Sequence, residues 1–189
     1  MNVEYDKYYQ TENLFGQPYP ELIRFYAEIE KKGRLLDLGC GQGRDAIALA
    51  KLGFEVTGID HSKVGIQQLN TISEQGSLPL IGLVEDIYNY QDFDQFDFIL
   101  LNSMFHFNKK DKEKEVNFLN RLLQQVKTNA LITICIQKKR QKTDVLNSII
   151  STANNVKIIH ETALIYRYED QETNHSSETE YKMITIKKI

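Results

Sequence analysis

Nothing in the chain limits its fold as tightly as residues 34–50, RLLDLGCGQGRDAIALA. A short apolar run, glycines at 39, 41 and 43, and a helix-period run read as strand, tight turn and helix, the opening of a βαβ unit. In a doubly wound sheet such a turn meets a helix N-terminus, and its glycines let the backbone approach a ligand closely. Two ligands fit that description. From Gly41 to Ala46 the chain spells G-x-G-x-x-A, the turn that cradles a dinucleotide pyrophosphate. From Asp37 it spells acid-x-Gly-x-Gly-x-Gly, a pattern in which no phosphate is expected.

The rest of the chain continues the alternation. Pro20 opens a helical pattern through Leu22, Ile23, Phe25, Tyr26 and Ile29 that is predicted to run to Lys32, about 20 Å. After the glycine turn, a helix from Asp45 to Leu52 is closed by Gly53. FEVTGI follows as a strand with Asp60 at its tip. A helix from Lys63 to about Gln75 leads to strands at LPLIGLV and FDFILL. Val116, Leu119, Leu122, Leu123 and Val126 form a clear helical stripe, ALITICI a buried strand, and Thr143 the predicted cap of a last helix. The two final strand-like runs, VKIIHETALIYRY and EYKMITIKKI, have no room for a crossover helix between them, so they should pair antiparallel. The expected fold is α/β: a doubly wound, mostly parallel seven-stranded sheet with an antiparallel C-terminal hairpin and helices on both faces. One domain is expected over 1–189, with an aromatic lid at 1–19, a cofactor-binding core at 33–136 and the hairpin at 156–189.

Composition narrows the partners. A net charge of -3 with 41% hydrophobic and 26% charged residues is ordinary for a soluble protein, and demands neither nucleic acid nor membrane. No apolar run approaches the ~20 residues of a membrane span, and the polar, acidic start is unlike a signal peptide, so a cytoplasmic protein is expected. Cys40 and Cys135 lie inside apolar runs and should be reduced thiols, and the four histidines lack metal-ligand spacing. A monomer or homodimer would serve.

Asp37 separates the two glycine readings. A carboxylate aimed into the pocket repels a pyrophosphate and attracts a ligand carrying an ammonium and a sulfonium. Asp60 is placed to accept from the hydroxyls of a ribose, which NAD and adenosine both possess. The pair Glu85-Asp86 ends the third strand, where a carboxylate can accept from an adenine amino group while Ile87 packs on the base. Acids at three successive strand tips suit neutral adenosine with a cationic amino-acid tail.

LDLGCGQGRDA, VTGIDHS and GLVEDI, in this order and spacing, resemble the first three motifs of class I S-adenosylmethionine-dependent methyltransferases, most nearly the small-molecule tellurite-resistance and thiopurine types. The resemblance spans Gly33 to Ile136, and the final hairpin is similar to that family's last two strands. It implies S-adenosylmethionine as cofactor and S-adenosylhomocysteine as product. Asp37 would take the methionine end, Gly39, Gly41 and Gly43 the bend, Asp60 the ribose, Asp86 the adenine, and His61 the flank of the ring. Arg44 would pair with the cofactor carboxylate, or simply with Asp45 or solvent.

The acceptor should lie beyond the fourth strand's end, LLNSMFHFNKK, where Asn102, Ser103, Phe105 and His106 can line the transfer site with His106 as base. The alternative there is plain packing. Tyr8, Tyr9, Phe15 and Tyr19 would cover cofactor and substrate or only pin the segment down. The amino-methyltransferase signature with two prolines and an aromatic is absent. Rival functions are a non-catalytic S-adenosylmethionine-binding module, a methyltransferase for RNA or protein, and an NAD(P)-dependent reductase; the last is disfavoured by Asp37 and the terminal hairpin.

Overall fold

The computed structural model describes residues 5–9, 14, 16–170 and 175–189, with only the backbone described for Tyr5, Tyr8, residues 168–170, His175 and Ser176. Seven strands form one sheet: β1 (Arg34–Leu38), β2 (Glu55–Asp60), β3 (Leu80–Val84), β4 (Phe98–Asn102), β5 (Leu131–Gln137), β6 (Val156–Asp170) and β7 (His175–Lys188). Their order is β3-β2-β1-β4-β5-β7-β6. The first five are parallel, β7 runs antiparallel to β5, and β6 antiparallel to β7. This is the doubly wound sheet with a terminal hairpin that the sequence pattern predicts.

The parallel strands read as continuous apolar runs because both of their faces are covered. Leu36, Leu38, Ile99, Leu101, Ile132 and Ile134 face one way, toward α5 (Lys112–Gln125) and α6 (Arg140–Thr152). Leu35, Val56, Phe98 and Leu100 face the other way, toward α2 (Pro20–Ala27), α3 (Arg44–Lys51) and α4 (Lys63–Gly76). Within that second layer the Tyr26 hydroxyl donates to Thr133 Oγ1 at 3.0 Å, and Thr133 stands 3.0 Å from Thr185, so the buried hydroxyls satisfy one another. A short helix, α1 (Tyr5–Tyr8), rests on α4.

Two predicted boundaries are corrected. The helix opened by Pro20 stops at Ala27 rather than Lys32. The Lys32 ammonium folds back onto the carbonyls of Tyr26 and Ala27 at 2.8 and 3.1 Å, satisfying the carbonyls at the helix end. Thr143 does not cap its helix, which begins at Arg140 inside the basic run; its hydroxyl instead donates back to the carbonyls of Lys139 and Arg140. Cys40 and Cys135 are buried and unbridged. Among the described residues no helix is long and apolar enough to cross a membrane.

The hairpin is longer than its sequence pattern implies. β6 has 15 residues and β7 has 14, against 7 in β5. Tyr181 is already paired with Gln137, the last residue of β5, so residues 165–170 and 175–180 project past the carboxyl edge of the sheet as an arm.

Candidate active site

A cavity of about 1000 Å³ lies along that carboxyl edge, the position an open α/β sheet reserves for ligands. Its floor is the turn after β1. Gly39, Gly41 and Gly43 have φ of 77°, 54° and 85°. At Gly39 a Cβ would stand 1.8 Å from Met104 Sδ, so the side chain of the β4 loop lies directly over the turn. Gly39→Ala should therefore cost about 1–2 kcal/mol for the left-handed backbone alone. In a chain of this size that lowers the melting midpoint by roughly 2–8 °C, with displaced Met104 adding to it. An unchanged thermal melt would mean that the turn escapes to negative φ without cost.

Asp37 and Asp60 stand on either side of this floor. Asp60 accepts from the Gly41 N–H at 3.0 Å through one oxygen and from the Ser62 N–H at 2.8 Å through the other, so it fixes the turn while lining the cavity. His61 beside it is largely exposed, with Nδ1 3.7 Å from the same carboxylate. Asp37 is 2% exposed, and its Oδ2 is the one buried side-chain oxygen or nitrogen among the described residues without a hydrogen-bond partner. Burial raises its pKa well above the usual carboxylate range, reinforced by the negative charges of Asp45 and Asp60 and opposed by Arg44 and the Ala46 backbone N–H. A buried carboxyl oxygen without a partner is costly unless a donor or a cation meets it.

Asp86 and Ile87 line the cavity beyond β3, and the Asp86 carboxylate accepts from the Tyr88 N–H at 2.9 Å. Glu85, the alternative for Asp86, is not among the lining residues. On the other side of β1, Arg44 pairs with Asp45 through two bonds of 3.1 and 2.8 Å, and Asn102 Nδ2 donates to the same carboxylate at 2.8 Å. Of the partners expected for Arg44, Asp45 is the one it meets here. The guanidinium also stacks 5.1 Å over the ring of Tyr19.

Two residues of the predicted lid reach the cavity. Tyr9 and Tyr19 are both buried and both line the cavity. Gln42 and Gln68 donate to the Tyr9 carbonyl at 3.3 and 2.8 Å, and Asp6 accepts from the Ser62 hydroxyl, which lowers its pKa. Phe15 and the Tyr8 side chain lie outside the described residues. Phe105, predicted to face the substrate, does not line the cavity: its ring stacks on Phe107 at 5.4 Å and packs against Phe118 in the core. His106 does reach the cavity, with an exposed side chain.

Three features escaped the sequence reading. Asp45 was visible inside the glycine motif, but only the fold brings Asn102 to it. Tyr166 and Tyr181 reach the cavity because the arm overhangs it, which the excess length of the last two strands over ALITICI already foreshadowed. Glu115, in a charge run that carried no assignment, is 2% exposed and accepts the backbone N–H groups of His106 and Phe107.

With this geometry in hand, comparison with known proteins is specific. Residues 1–187 match the family described as tellurite resistance protein TehB. A probable S-adenosyl-L-methionine-dependent methyltransferase TehB of Haemophilus influenzae is 32% identical over 108 residues, 57% of this chain and 36% of that protein. A 2-heptyl-1-hydroxyquinolin-4(1H)-one methyltransferase of Mycobacteroides abscessus is 31% identical over 93 residues, 48% of this chain and 41% of the other. The crystal structure of TehB from Haemophilus influenzae shares the fold, with a TM-score of 0.71 at 20% identity over 98% of this chain and 66% of that one. The matches thus span well under half the length of these curated relatives.

Proposed function

Because this chain belongs to the tellurite resistance protein TehB family, we propose that it transfers a methyl group from S-adenosylmethionine to a small-molecule acceptor in the cytoplasm, with the residues from the lid to the hairpin acting as one unit. The observation that carries this reading is Asp37 Oδ2, a buried oxygen without a partner beside a glycine floor and inside a cavity. A pyrophosphate would meet that carboxylate with repulsion, whereas the ammonium of an amino acid satisfies it.

The residues present fit the cofactor from end to end. Asp37 would hold the ammonium, and Gly39, Gly41 and Gly43 the bend around the methionine. Asp60 retains lone pairs for the ribose hydroxyls after its two backbone bonds. Asp86 would accept from the adenine amino group, with Ile87 and His61 against the ring. Bound there, S-adenosylmethionine supplies a methyl on an activated sulfur: the C–S bond breaks, its electron pair stays on sulfur, and the acceptor's lone pair forms the new bond. The chain's own task is then to position the acceptor and exclude water. Tyr9, Tyr19 and His106 line the cavity and Asn102 is held in place by Asp45; the tyrosines would cover the site and His106 would take a proton from an acceptor that must lose one.

Calorimetry tests the reading. S-adenosylmethionine and S-adenosylhomocysteine are expected to bind and NADH is not. Tight NADH binding without S-adenosylhomocysteine binding would sink it. Relatives that methylate small molecules, such as the hydroxyquinolone enzyme, support a small acceptor over RNA or protein.

A further inference from the structure

The cofactor reading occupies only half of the cavity. Asp86, Asp60 and Asp37 stand at or just beyond the ends of β3, β2 and β1, while the cavity continues past β4 and β5 toward the hairpin. From β1 to β7 is three strand spacings, roughly 14 Å. That far half is walled by three tyrosines. Tyr19 stands edge-on to Tyr166 with ring centroids 6.5 Å apart and tilted against Tyr181 at 5.9 Å. Tyr181 sits level with the end of β5, and Tyr166 lies on the arm that projects past it.

Charge decides what such a wall receives. Among the described lining residues Asp37, Asp45, Asp60 and Asp86 carry carboxylates, and Arg44 is the single lysine or arginine. That guanidinium is already engaged by both oxygens of Asp45. With Asp37 ionised against a bound ammonium, four acids against one base leave the lining at -3 with neutral imidazoles. S-adenosylmethionine, with an ammonium, a sulfonium and a carboxylate, brings +1. The loaded cavity therefore keeps a negative surplus, which repels an oxyanion and leaves a neutral ring unaffected. Tyrosine rings gain most from an apolar, planar partner, and their hydroxyls offer it hydrogen bonds.

Resting on the cofactor reading above, we infer that Tyr19, Tyr166 and Tyr181 form the acceptor wall, and that the acceptor is an uncharged aromatic molecule bearing a hydroxyl or thiol rather than an inorganic oxyanion. The probe is 2-naphthol, whose emission is readable here because the chain contains no tryptophan. In protein saturated with S-adenosylhomocysteine, 2-naphthol should bind, and an equal concentration of sodium selenite should not displace it. The double variant Tyr166→Ala/Tyr181→Ala should weaken 2-naphthol at least tenfold and leave S-adenosylhomocysteine affinity within about threefold. Tyr166→Phe/Tyr181→Phe, which keeps the rings, should stay within about threefold for both.

Displacement by selenite, or unchanged naphthol binding in the alanine variant, overturns the inference. So does S-adenosylhomocysteine binding with no naphthol binding at all. Absence of S-adenosylhomocysteine binding to the unaltered protein overturns the cofactor reading and takes this inference with it.

Discussion

Asp37→Asn should weaken S-adenosylhomocysteine binding about 30-fold or more while raising the melting temperature of the ligand-free protein. The two effects share one cause. In the free protein the carboxyl is buried beside Asp45 and Asp60 with one oxygen unpartnered, so its charged form is disfavoured and its pKa raised. As pH climbs out of the usual carboxylate range, the unfolded chain releases this proton first and the folded chain retains it. The folded state then binds more protons than the unfolded one, and stability falls with rising pH until the raised pKa is passed. Asparagine has the same shape and no proton to lose. The variant should therefore match the parent near pH 4 and gain on it toward neutrality, by at least about 1 kcal/mol, or roughly 2–4 °C. Ligand binding reverses the sign, because an ammonium against a buried carboxylate loses about 2–5 kcal/mol when one charge is removed. Thermal melts across pH 4–8, with and without S-adenosylhomocysteine, read both. A variant that keeps its affinity within threefold would strip Asp37 of the ammonium.

That carboxylate was also the most informative letter of the sequence, and the reason is local. Strand, turn and helix at residues 34–50 are dictated by short-range pattern, as are Asp60 and Asp86 at or near the next strand tips, so the positions of the residues proposed for the cofactor were legible almost one by one. The acceptor half was not. Its proposed walls come from Tyr19 and, more than 140 residues further along the chain, Tyr166 and Tyr181, and what joins them is strand order and the overhang of an arm. Phe105 misled for a related reason. The loop after β4 alternates between cavity and core, and Ser103 and Phe107 adopt φ of 62° and 46°, conformations that no residue-type pattern announces. Arg44 was left open because its neighbour Asp45 and a ligand at the glycine turn are both within its reach, and only packing brings Asn102 in to complete the Asp45 carboxylate's shell.

The loop's unusual backbone makes Glu115→Ala the second large effect. Glu115 reaches from α5 under the loop and accepts the His106 N–H at 3.1 Å through Oε1, with Oε2 taking the Phe107 N–H. These bonds hold Phe107 in the left-handed region, a conformation costing about 1–2 kcal/mol in a bulky residue, and they turn the rings of Phe105 and Phe107 into the core. Hydrogen bonds to a charged acceptor contribute about 1.5–3 kcal/mol each, and the Phe107 N–H is left buried when the carboxylate goes. Alanine should therefore cost about 2–4 kcal/mol, lowering the melting midpoint by roughly 4–16 °C. Glutamine should recover part of this, because it keeps one acceptor oxygen but points an amide N–H at a backbone N–H. The functional effect should be one-sided. His106 and Ser103 line the cavity beyond β4, on the proposed acceptor side, while the acids assigned to the cofactor stand at or beside the ends of other strands. At a temperature where the variant remains folded, 2-naphthol affinity should fall several-fold and S-adenosylhomocysteine affinity should hold within about threefold. Equal losses for both ligands would show that Glu115 supports the fold at large and does not position the loop.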